Sequence, residues 1–111
     1  MKTSALINEI VDLYQKHGWQ LRRVLLCPKT QIELGTELTI FSGIEMKEAE
    51  VDAVWFSRPS HQQREAWELR LVAENSYALF ETFEADESEE DREDVRHEME
   101  VRMREYLKSE K

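Results

Sequence analysis

The side chains best suited to chemistry are scattered along this sequence rather than grouped. Histidine occurs at 17, 61 and 97, and none lies in an HExxH or CxxC setting that would bring ligands to one zinc ion. Asp94 and Glu93 stand three and four residues before His97, so on a helix each shares a face with it. Di-iron carboxylate sites use such pairs in duplicate. The chain holds no second copy, so the expectation is a solvated helix face and no metal. The run from Asp86 to Asp94 places seven acids in nine residues. It lacks the alternating ligands and central glycine of a calcium loop and reads as a helix start, where carboxylates complement the dipole. Ser57, Ser60 and His61 have neither a GxSxG elbow nor an acid behind the histidine. Cys27, the single cysteine, excludes an internal disulfide. Just before Pro28 it reads as a packing residue rather than a nucleophile, which needs an accessible electropositive setting. No catalytic set and no cofactor is expected.

The arginines offer a binding chemistry instead. Arg58, His61 and Arg64 fall in one short stretch, and Arg22, Arg23 and Arg70 come from strands expected beside it. Guanidinium forks on one concave surface can hold a carboxylate or phosphate. Arg22, Arg58, His61, Arg64 and Arg70 are therefore the candidate anion site. Glu65, Glu68 and Glu81 compete for the same arginines by cross-strand pairing.

The elements that position these residues follow from periodicity. Leu6, Ile7, Ile10, Val11 and Tyr14 recur at helical spacing after Ser4, an N-cap type, and before Gly18, predicting a helix near 4–17. Trp19 to Cys27 reads as a strand stopped by Pro28, with Trp19, Leu21, Arg23 and Leu25 on one face and Arg22, Val24 and Leu26 on the other. Residues 29–52 mix signals: a strand is expected near Leu38–Phe41 and a turn or short helix near Ile44–Glu50. Runs at 53–58, 66–72 and 77–83, joined by turn residues, read as an antiparallel meander. Val95, Met99, Met103 and Tyr106 make the stripe of a helix near 88–108. The whole predicts one α+β domain over 1–111: an antiparallel sheet of about four strands with N- and C-terminal helices packed on one face.

That arrangement leaves apolar surface to cover. Trp55 opposes Val54 and Phe56 on one strand, and Leu79 and Phe83 oppose Ala78 and Phe80 on another. With both helices on one face, the second face needs a cover: residues 29–52, a second copy of the chain, or another protein. Trp55, Phe56 and Phe80 are expected at such an interface, and a homodimer is the simplest form of it.

Charge narrows the partners. Asp and Glu total 24 against 15 Lys and Arg, a net charge of -9. Residues 76–111 carry 13 acids and 6 bases, so most of the excess lies on the C-terminal segment. Nucleic acid and anionic membrane surfaces need a positive field, and neither is an expected partner. No signal-peptide core opens the chain, so a cytoplasmic protein is expected. In size, a pI near 4.8, a helix–strand opening and an acidic closing helix, the chain resembles the small acidic dimeric secretion chaperones of bacteria. That resemblance implies an α+β domain holding a partner's unfolded segment on an apolar sheet face. The expected function is thus a non-enzymatic protein-binding or assembly module, chaperone-like in character. The alternative is a small-molecule-binding domain or enzyme, with a pocket between sheet and helices lined by Trp19, Trp55 and Trp67 and anchored by an arginine.

Overall fold

A computed structural model describes residues 3–109. Helix α1 spans Thr3–Lys16 and closes at Gly18, whose φ of 85° is left-handed. Gly18 N–H donates to Gln15 O at 3.1 Å and Trp19 N–H to Tyr14 O at 3.0 Å, the bond pair of a Schellman cap. Strand β1 (Gln20–Leu26) leads to a short helix α2 (Pro28–Leu34), a 3-10 helix (Gly35–Phe41) and strand β2 (Glu45–Glu48). Strands β3 (Ala53–Pro59), β4 (Glu65–Leu71) and β5 (Ala78–Phe83) precede helix α3 (Glu89–Ser109). The sheet order is β2-β1-β3-β4-β5. The class is α+β with N- and C-terminal helices, and all neighbouring strands are antiparallel except β1 and β2, which run parallel.

Residues 29–52 reverse the expected order, helix first and strand second. Pro28 stands at the first helical position, where its missing N–H costs nothing. The far-off Asp52 supplies the cap: its carboxylate accepts from Cys27 N–H at 2.8 Å and from Thr30 Oγ1 at 2.6 Å. Strand β2 went unseen because an edge strand of sequence Glu-Met-Lys-Glu, exposed along most of its length, carries no apolar alternation to read.

The two terminal helices lie on opposite faces of the sheet, not on one. Ile7 and Ile10 of α1 pack with Val24, Leu26, Val54 and Phe56, and Leu34 and Phe41 of the 29–52 segment join the same core. Met99 and Met103 of α3 pack with Leu25, Trp55, Trp67, Leu69, Leu71 and Phe83 on the other side. Two-sided strands are what a sheet with cover on both faces requires. Trp55 and Phe56, expected at an interface, are accordingly both 0% exposed, whereas Phe80 is 58% exposed. A bulge in β1 corrects the alternation read there. Leu21 pairs with Phe56 and Arg23 with Trp55, leaving Arg22 as the extra residue, so Leu21 joins Val24 on the α1 face.

No helix is long and apolar enough to cross a membrane, among the described residues.

Candidate functional site

The five residues of the expected anion site divide between separate places. Arg22 lies on the α3 side, its guanidinium 5.5 Å from the Trp67 ring centre. His61 is exposed in the 61–63 turn between β3 and β4. Arg64 pairs with Glu84 at 2.9 Å. Arg58 and Arg70 alone come together, on the α1 face, where both line a groove of about 430 Å³.

Around Arg22 the guanidiniums are already matched. Arg23 meets Glu45 at 3.1 Å, Glu93 at 3.2 Å and Glu100 at 3.7 Å. Arg96, 1% exposed, pairs with Glu89 and Glu93 and stacks 4.3 Å from the Trp67 ring centre. Burial pulls the Glu93 carboxyl upward, but the bonds and charge of Arg23, joined by Arg96, outweigh it and hold it below the ordinary carboxylate range. This network fastens α3 to the sheet, with carboxylates in contact with both Arg23 and Arg96. Sequence reading missed Arg96 because an arginine three residues before Met99 looks solvated until Trp67 is placed beneath it.

The groove on the other face is built differently. Helix α1 covers β1 and β3 but not all of β4 and β5, so Leu13, Tyr14 and His17 form one wall above Glu68, Arg70 and Ala78. Tyr14 stacks on Phe56 at 4.1 Å, and its hydroxyl donates to the Glu68 carboxylate. Burial first, and then that bond and the Glu68 charge, push the Tyr14 hydroxyl well above its usual pKa. Trp19 closes one end, with Arg58 stacked 4.4 Å from its ring centre and donating to His17 O at 2.8 Å. Phe80 meets Trp19 edge-on at 6.3 Å.

Arg70 is 7% exposed. Its Nη2 donates a long hydrogen bond to Ala73 O at 3.3 Å, and its Nε is buried without a partner among the described residues. Leaving such a donor unmet costs about 1–3 kcal/mol. The other buried orphan, Nε of Arg92, belongs to a guanidinium that does pair, with Glu65 at 3.3 Å and with Glu84 O at 2.7 Å.

A cavity of about 490 Å³ lies between β2 and α3 and is lined by Cys27, His97, Glu100 and Arg104 among others. Burial, and then Asp52, push the Cys27 thiol up, which keeps it protonated and a poor nucleophile. Among the described residues no group of three or more His, Cys, Asp or Glu converges to hold a metal ion. The three tryptophans of the alternative pocket lie apart: Trp19 on the α1 face, Trp55 and Trp67 in the α3-side core.

Comparison with protein families, with curated proteins and with solved structures finds no match.

Proposed function

We propose that this protein is a non-enzymatic protein-binding module that receives an extended segment of another chain along β5 and the groove beside it. The observation that carries the reading is Phe80: it is 58% exposed on the uncovered part of the α1 face, on the outermost strand of the sheet. The two sheet edges contrast. Strand β2 is four residues long and bears Glu45, Lys47 and Glu48, the short charged type that discourages pairing. Strand β5 is six residues long with Glu81 its one charge, so it offers backbone donors and acceptors to an added strand. A side chain of that strand meets Phe80, and the groove takes its neighbour. An assembly or chaperone-like role follows from such segment capture. The net charge of -9 directs the reading away from nucleic acid and membrane, and one free thiol suits a reducing cytoplasm.

Panning displayed random peptides against the protein tests this. Enriched peptides bind the wild type and lose binding in Phe80→Glu. No enrichment, or binding indifferent to that change, contradicts it. A second reading, the homodimer, is favoured by the same open edge. Antiparallel pairing of β5 with its copy, in the register centred on residue 80, sets Phe80 opposite Phe80, and light scattering then gives twice the 13.2 kDa chain mass.

A further inference from the structure

We infer that Arg70 is a reader of carboxylates, so that the groove takes a carboxylate carried on an apolar segment. The inference rests on the groove being the contact surface, and it adds the chemistry of what is held. Its basis is a buried cation with no carboxylate in ion-pair contact among the described residues, its guanidinium facing the Tyr14 hydroxyl. Arg23 and Arg96, 9% and 1% exposed, each have two or more carboxylates in ion-pair contact. Arg70, 7% exposed, makes no such pair among the described residues and leaves Nε unbonded. Buried arginines are otherwise almost always paired.

The natural internal partner is committed elsewhere. Glu68 sits two residues before Arg70 on the same face of β4, and its carboxylate accepts the Tyr14 hydroxyl. Arg58 is spent on His17 O and the Trp19 ring. An outside oxygen pair at the terminal nitrogens is what the Arg70 fork, which lines the groove, lacks, and a carboxylate matches a guanidinium fork in bidentate geometry. Two guanidiniums against the one Glu68 carboxylate leave a single positive excess. That suits a monoanion and penalises a phosphate dianion, which would face Glu68. The flanks set the rest of the ligand. Leu13 is 50% exposed and lines the groove with Trp19 and Ala78, so the carboxylate must arrive on something apolar.

The test follows the Arg70 Nε–Hε and Trp19 indole N–H resonances of the full chain in proton–nitrogen spectra. The probes are 3-phenylpropionate, its neutral amide and inorganic phosphate. Saturable shifts of both resonances are expected with the carboxylate. Shifts at least about tenfold weaker are expected with phosphate, and none with the amide. Arg70→Gln should abolish the Trp19 shift while the thermal melt holds or rises, since a cation without a partner is removed; Arg70→Lys, which lacks the fork, should weaken it. No saturable shift, equal shifts with the amide, or a Trp19 shift that survives in Arg70→Gln overturns the inference. A short apolar peptide with a free C-terminus, and the same peptide amidated with an internal Glu, separate the two sources of carboxylate; binding of either supports it. Panned peptides that need Phe80 but ignore Arg70 sink this inference alone. A carboxylate shift at Arg70 beside peptides indifferent to Phe80 sinks the contact surface alone.

Discussion

Glu93 shows how one side chain ties the closing helix to the sheet. Its carboxylate lies 3.2 Å from Arg23 of β1 and 2.9 Å from Arg96 of its own helix. Because its folded pKa is depressed, it contributes stability above the unfolded value, and that contribution is lost as pH falls through the folded one. The stability gap between wild type and Glu93→Gln, read by urea melts, should therefore be widest near neutrality and narrow between about pH 5 and pH 2. A gap that stays constant would mean that the ion pairs do not hold this carboxyl. Individual roles of this kind were mostly hidden in the sequence. Tyr14 and Glu68 are 54 positions apart and Arg23 and Glu93 are 70 apart, so no local spacing announces either contact. Neighbouring strands place the anion-site residues near one another, but the face each strand presents separates Arg22 from Arg58 and Arg70.

At the scale of elements, periodicity was legible wherever a segment is half-buried against one partner. Helix α1 and the Met99–Met103 stripe of α3 carry their burial in their spacing. It failed where burial comes from both sides or from neither. Strand β3 runs Ala-Val-Trp-Phe-Ser, all buried, and such a run does not say which helix lies on which face. Strand β2 has no apolar face to show. Helix α2 depends on a cap from residue 52 rather than on its own first residue: Cys27 makes no side-chain cap bond. Asp52→Ala should therefore cost about 1–2 kcal/mol, as loss of an N-cap carboxylate does. The same change should loosen the 28–34 amides in hydrogen exchange ahead of those in β3. A melt unchanged by more than a few tenths of a kcal/mol would show that Pro28 alone sets the helix.

For the whole molecule, the charge and the open edge act together. The acidic excess lies largely in residues 76–111; α3 packs on one side of the sheet, and the uncovered strip of β4 and β5 faces the other. A partner segment approaching that strip meets Phe80, Leu13 and the Arg58–Arg70 pair rather than the carboxylates of the closing helix. The two-sided strands, for which the sequence left the cover open between residues 29–52, a second copy and another protein, are covered within the chain by α1 with residues 29–41 and by α3. What remains for an outside partner is the smaller surface around Phe80. Whether that surface does the binding is read most directly by proton–nitrogen shift mapping of a panned peptide on the full chain. The expected map gathers on Leu13, Trp19, Arg70 and residues 78–82, with protection of β5 amides from exchange. Shifts centred on α3, or on the cavity beside Cys27 and His97, would contradict it.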